Sequence, residues 1–343
     1  MGGLPTQAAI ASVRTRPTVR GALARLLFLR RRELGALMAI SVTYTVFTIL
    51  NPNFLTPATF GGILTIAAEV GTITIGEGLL MISGEFDLSV GSNFSFSAIV
   101  FGFLLKAGLS SILALLAVLV MGALIGLVNG LITIRTRIPS FITTLGSLFF
   151  WNGMALWVTG GWPVSFITPP ALLNVLGGYT IGSAGSLHVS AVWWALSAVV
   201  FWVVLEKSRY GNWVYGTGGN TGAARAVGVP VDKVKLINFA ICGLLAGFAG
   251  TLQLGRMDSV SPVRSGLELE AIASAVVGGV SLFGGIGTVL GMILGTIAIA
   301  SIEVGLVAAG APSFWYTAFV GTVIIVIVII NTKLDEIIST RRE

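Results

Sequence analysis

Two carboxylates in the wrong solvent are the first candidates for chemistry. Glu69 and Glu77 lie inside an apolar run covering residues 60–83, and a carboxylate at mid-bilayer costs at least about 2.5 kcal/mol even on lenient insertion scales. One reading has them face a water-filled pathway, where they hydrogen-bond sugar hydroxyls or relay protons. The other has them bond backbone and Ser/Thr groups of a neighbouring helix and pin a bundle. Glu303, in a later apolar run, poses the same choice with packing favoured. Asn129, Ser140, Thr143, Thr144 and Asn152 also fall in apolar runs, and polar side chains there tend to face protein or water. Next to them comes ISGEFDLSVGS, residues 82–92, with Glu85, Asp87, Ser89 and Gly91. Its glycines and hydroxyl residues fit either a break within the membrane, tolerated only where protein or water satisfies the backbone, or a cytoplasmic turn capped by Asp87 or Ser89. Covalent catalysis has little to work with. His188 is the single histidine and starts a run near a surface, Cys242 is the single cysteine and sits among apolar residues, and neither GxSxG nor HExxH occurs. We expect no catalytic or metal site, and Cys242 is expected to be a packing residue.

The elements that position these residues follow from composition. The chain has 343 residues, 55% hydrophobic and only 10% charged, with 45 glycines and a mean hydropathy of +0.95. No ordinary soluble domain keeps a polar surface on that composition, and abundant glycine suits closely packed transmembrane helices. Apolar runs fall at about 34–50, 60–83, 91–105, 110–134, 139–159, 187–205, 234–254, 271–283, 288–309 and 315–331, the eighth short enough to be a broken span. Residues 1–33 carry seven arginines and one acid. That arm, Arg135 with Arg137, the stretch 206–235 and the tail with Lys333, Arg341 and Arg342 all alternate onto one side, which the positive-inside rule assigns to the cytoplasm. Residues 160–186, with Pro169-Pro170 and a Gly/Ser cluster, then form a structured external loop. The expectation is an all-α, polytopic transmembrane helical bundle of about ten spans with N- and C-termini cytoplasmic. It divides into a basic arm (1–33), a transmembrane domain (34–332) and a tail (333–343). The pI of about 9.8 reports topology, because no basic stretch is interleaved with aromatics as a nucleic-acid groove requires.

The charged, glycine-rich island EKSRYGNWVYGTGGNTGAARAVGVPVDKVK at 206–235 is the place where a cytoplasmic partner would grip such a protein. Gly216, Gly218 and Gly219 permit a tight turn, Asn220 and Thr221 can cap a short helix, Ala223, Ala224 and Ala226 give it a small face, and Arg225 offers a charge to an acidic partner.

Three motifs resemble one family. GEFDLSVGS is similar to a GGIDLSVGS signature, Tyr215 to Asn220 with Ala223-Ala224-Arg225 and Gly228 to a YATGGN-xx-AAR-xx-G loop, and residues 266–287 to GxELxAIAAVVLGGxSLxGGxG. These mark the permease subunits of bacterial ribose/xylose/arabinose-type ABC importers, and the resemblance runs from about residue 34 to 332. It implies a multi-pass inner-membrane subunit that pairs with a second copy or a paralogue, receives a monosaccharide or related polyol from an extracytoplasmic binding protein, and is driven by a separate ATPase with two fused nucleotide-binding domains. It also implies that loop 206–233 docks on that ATPase. The wider superfamily adds nucleosides, amino acids and a signalling sugar as alternative substrates. Glu85 stands where the family pattern has its second glycine. No GxxxxGK[ST] loop is present, so ATP and Mg belong to the partner and this chain is expected to carry no cofactor and to be no enzyme. An ion-coupled secondary transporter built on Glu69 and Glu77 is the alternative of another class. Arg256, Asp258, Arg264, Glu268 and Glu270 are expected either to meet the binding protein or to pair among themselves.

Overall fold

The computed structural model describes residues 31–182, 186–312, 314–322 and 325. The arm up to residue 30, about half of the tenth apolar run and the tail lie outside the described residues. The described residues are mostly helical. Its elements are α1 (Arg31–Leu50), α2 (Pro57–Ile82), α3 (Val90–Lys106), α4 (Ser111–Thr136), α5 (Ser140–Thr159), α6 (Ser190–Lys207), α7 (Arg209–Gly219), α8 (Thr221–Ala226), α9 (Val231–Met257), α10 (Leu267–Val277) and α11 (Val289–Ala308). Among the described residues seven of these are long and apolar enough to cross a membrane, α3 is apolar but shorter at 17 residues, and α10 has only 11.

Local chemistry fixes the ends. Thr56 caps α2 by accepting from the Thr59 N–H at 3.2 Å, with Pro57 in the first helical position, where a missing N–H costs nothing. α2 then runs through the middle of the bundle, buried almost throughout, against α6, α9, α10 and α11. The tightest helix pair is α4 with α9. A side chain at Gly126 would meet the Phe239 carbonyl at 2.0 Å and one at Gly243 the Gly122 carbonyl at 2.2 Å. Small residues four apart on both helices let the backbones touch, the packing that replaces hydrophobic collapse inside lipid. By contrast α5 exposes Phe141, Phe149, Phe150 and Trp157.

The described residues of the connection between α5 and α6 are structured, in keeping with its prolines and glycines. Val164–Ser165 (β1) pairs antiparallel with Ser259–Val260 (β4), Thr180–Ile181 (β2) pairs with Leu187–His188 (β3), and a helical turn covers 171–178. His188 is held by Gly177, whose carbonyl lies 2.8 Å from Nδ1, and donates its N–H to Thr65. The eighth apolar run is corrected: helix α10 stops at Val277, and 278–288 is a loop with left-handed Gly279, Gly284 and Gly285.

Candidate functional site

Halfway along α2, Glu69 is 1% exposed and accepts from two arginines, Arg256 Nε at 2.6 Å and Arg264 Nη1 at 3.1 Å. Arg256 comes from the end of α9 and Arg264 from the irregular segment before α10. Arg264 also lies 3.9 Å from Glu270 and stacks over the buried Phe94 ring of α3 at 5.7 Å. Glu303 of α11 adds a third carboxylate to the field of the two arginines. Of the two readings for Arg256, Arg264 and Glu270, pairing within the chain is what the structure contains. The buried Glu69 carboxylate thus ties α2 to the end of α9 and to the segment that leads into α10.

Two turns further along α2, Glu77 is fully buried with different partners. Its Oε1 accepts from the Asp87 N–H at 3.0 Å and its Oε2 faces the Cys242 Sγ at 3.2 Å. Asp87 in turn accepts from the Ser89 N–H at 2.8 Å, the Ser89 hydroxyl at 2.6 Å and the Asn129 amide at 3.2 Å. The stretch after Ile82 is therefore a turn between α2 and α3, closed by Asp87. Gly91 follows in the first turn of α3, where a side chain would strike the Glu268 carboxylate at 2.4 Å. Glu85 does not join Asp87: it pairs with Lys235 of α9 at 2.5 Å. Thus Glu77, Asp87, Ser89 and Asn129 form one cluster that includes Cys242, while Glu69 belongs to another. Ser140 is 3.5 Å from the Phe86 N–H and Thr144 donates to the Ser140 carbonyl. Asn129, Thr143 and Ser147 are the polar residues lining a mostly apolar groove of about 560 Å³ between α4 and α5. Asn152, half-buried, directly follows Trp151 of that groove but does not line it.

At this same C-terminal end of α2 the three sequence motifs converge on backbone. A side chain on Gly284 would lie 3.1 Å from the Cα of both Gly84 and Gly218, and one on Gly218 would strike the Ile82 carbonyl at 1.9 Å. The Gly285 N–H donates to that same carbonyl at 2.8 Å, and the Tyr215 hydroxyl donates to the Gly287 carbonyl at 2.8 Å. Burial, with Glu206 nearby, pushes the Tyr215 phenol up to about 12, so it stays a donor at neutral pH. Expected as a tight turn, Gly216, Gly218 and Gly219 instead occupy the last turns of helix α7 with negative φ; what Gly218 supplies is close approach. Ser208 caps α7 and Asn220 caps α8, accepting from the Ala223 N–H at 2.9 Å. Thr221 is no cap, since its hydroxyl turns back to the Thr217 carbonyl. Ala224 is buried while Ala223, Ala226 and Val227 are exposed, so the outward face of α8 is narrower than the sequence implied. Arg225 is exposed and paired with Asp232 at 2.5 Å.

The two short, capped helices α7 and α8 thus meet the end of α2 through backbone, and comparison with known proteins decides the family. Residues 59–328 match the family described as branched-chain amino acid transport system / permease component. The chain belongs to this family. It is 34% identical over 319 residues to the autoinducer 2 import system permease protein of Enterobacter sp. (strain 638), covering 91% of this chain and 90% of the relative. It is 32% identical over 305 residues to the ribose import permease protein of Escherichia coli (strain K12), covering 88% and 94%. With the xylose/arabinose import permease protein of Sulfolobus acidocaldarius the identity is 33% over 324 residues, covering 88% and 85%. The resemblance carried by the three motifs is thereby borne out along most of the chain.

Proposed function

We propose that this permease component is the transmembrane subunit of an ATP-driven importer that passes a monosaccharide or related polyol from a binding protein across the bacterial inner membrane by alternating access. The observation that carries the reading is the junction at Gly84, Gly218 and Gly284, which couples the exposed α7–α8 foot to the end of α2 by backbone contact. A push on the foot then reaches the centre of the bundle without side chains that could yield. Ten passes, both termini in the cytoplasm, agree with the charge bias and with the alternation of the helices, α10 counting as a partial span. Residues 206–233, with Gly216, Gly218, Gly219, Asn220, Ala223, Ala224 and Arg225, would seat on an ATPase with fused nucleotide-binding domains. A second copy or a paralogue would close the apolar groove between α4 and α5, so that the pathway is walled by both. Glu69, Glu77, Asn129, Ser140, Thr143, Thr144 and Asn152 remain the pathway candidates on this chain. Likeness to ribose and xylose/arabinose import permeases favours a sugar; the autoinducer 2 permease and the family's description keep a signalling sugar or an amino acid as the alternative substrates.

The test is purification in mild detergent from native membranes with identification of what accompanies the chain, followed by ATPase assay. A double-domain ATPase stimulated by an added binding protein and ribose, xylose or arabinose is the expected outcome. Recovery of the chain without an ATPase, with uptake in vesicles driven by a proton or sodium gradient, would overturn the proposal in favour of a secondary transporter.

A further inference from the structure

Loop 278–288 touches the α7–α8 foot and has no role in the reading above beyond that contact. It is not a slack connection. The Ser281 N–H donates to the Ile286 carbonyl at 2.9 Å, the Gly284 N–H returns to the Ser281 carbonyl at 3.3 Å, and the Phe283 N–H donates to the Ser281 hydroxyl at 3.2 Å. Left-handed Gly284 and Gly285 lie against Gly218 and Gly219 of α7. The turn is thus fixed on both sides, and its tip holds out Phe283, 81% exposed, with Ile286 beside it half as exposed. An aromatic ring on a pre-ordered turn is the composition of a binding anchor, since little entropy remains to be lost when it is buried. Nearby, Val227 at the end of α8 and Trp213 on α7 are also exposed.

We infer that the ATPase binds a composite surface, in which the 281–286 turn with Phe283 inserted into the partner is a second docking element beside α7–α8. This rests on the importer reading and extends it. The occupant follows from continuity: Gly284 and Gly285, the two residues after Phe283, are in backbone contact with the foot the ATPase would hold, so a partner seated on α7–α8 abuts the turn. The second contact also has a distinct destination. From the turn the chain leads back to α10, whose C-cap residue, Gly278, is in backbone contact with Gly291 of α11. The other end of α10 carries Glu270, next to the Arg264 that holds Glu69. The foot thereby addresses α2, and the turn addresses α10 and the buried charge network.

The experiment places the photoreactive residue benzoylphenylalanine at position 283 or at position 222 of the full chain, in membranes containing the complete importer. Cross-linking of both positions to the ATPase subunit supports the composite surface. Cross-linking from 222 to the ATPase but from 283 only to lipid or to another permease copy overturns it and leaves the importer reading standing. Failure at both positions sinks both. As a second readout, Phe283→Asp should lower the ATPase recovered per permease by about tenfold while Phe283→Leu stays within about twofold; equal recovery from both would overturn the inference even where cross-linking is weak.

Discussion

Two arginine–carboxylate sites, one in the bundle and one on the foot, use the same chemistry under opposite conditions. At Glu69 the carboxylate is 1% exposed and two guanidinium groups, 20% and 26% exposed, converge on it. At Arg225 and Asp232 the partners are 55% and 49% exposed and make a single contact. Water sets the difference. A buried pair is weak as a source of net stability, yet removing one member strands an uncompensated charge and costs heavily. An exposed pair gains little and loses little, so it can be exchanged for a partner's charge at almost no cost. The first arrangement suits a brace and the second a contact that must be remade.

The comparison breaks most easily at its buried end. Glu69→Ala strands Arg256 and Arg264, and the expected cost is about 3–5 kcal/mol, read as a large fall in Tm in mild detergent and a low folded yield; Glu69→Asp should recover part of it. A variant as stable as the parent would show that the network does not brace the bundle. Next in size is the backbone junction. Gly218→Ala puts a methyl within 1.9 Å of the Ile82 carbonyl, an overpacking expected to cost about 1–3 kcal/mol. Gly222→Ala on the same foot meets nothing closer than 3.5 Å and should be neutral or gain up to about 1 kcal/mol from helix propensity. Uptake assays on the two variants at matched expression should show transport lost in the first and kept in the second.

The intermediate case is the half-buried pair of Lys235 and Glu85, 17% and 15% exposed. Glu85→Gly restores the glycine of the motif it departs from but leaves Lys235, 17% exposed, without its partner, so the expected cost is about 1–3 kcal/mol, between the exposed and the fully buried pair. Because Glu85 is engaged with Lys235 and turned from Asp87, competition of uptake by ribose, xylose and arabinose should keep its order. A changed order would place Glu85 on the substrate's route.

The sequence carried the bundle further than the sites. Apolar runs matched helices closely, as 139–159 against Ser140–Thr159, since the bilayer imposes the length of a span. The rule failed at 271–283, where Val280, Leu282 and Phe283 keep the stretch apolar although five glycines between 278 and 287 favour a loop over a helix. The motif at 82–92 was legible as a capped turn because Asp87 and Ser89 act on their own neighbours. Glu69 was legible as costly but its partners were not: Arg256 and Arg264 lie 187 and 195 residues away, and no local pattern encodes such a pairing. The convergence of Gly84, Gly218 and Gly284 has the same origin, three glycines that read singly as turn formers and act jointly by lacking side chains.

The exposed end of the comparison gives the smallest effect on the fold and the sharpest test of purpose. Arg225→Glu sets two carboxylates, its own and Asp232, beside each other in water, so Tm should shift by less than about 1 kcal/mol of stability corresponds to, and insertion should be normal. ATP-dependent uptake should nevertheless be lost, because a partner's acidic surface would now meet like charge. The double variant Arg225→Asp with Asp232→Arg separates the two meanings of the pair. It rebuilds the contact within the chain but moves the positive charge seven positions along the foot, from α8 to the start of α9. If the pair matters only as an internal staple, uptake returns in the double variant; if Arg225 is held in readiness for the ATPase, uptake stays lost although the staple is back.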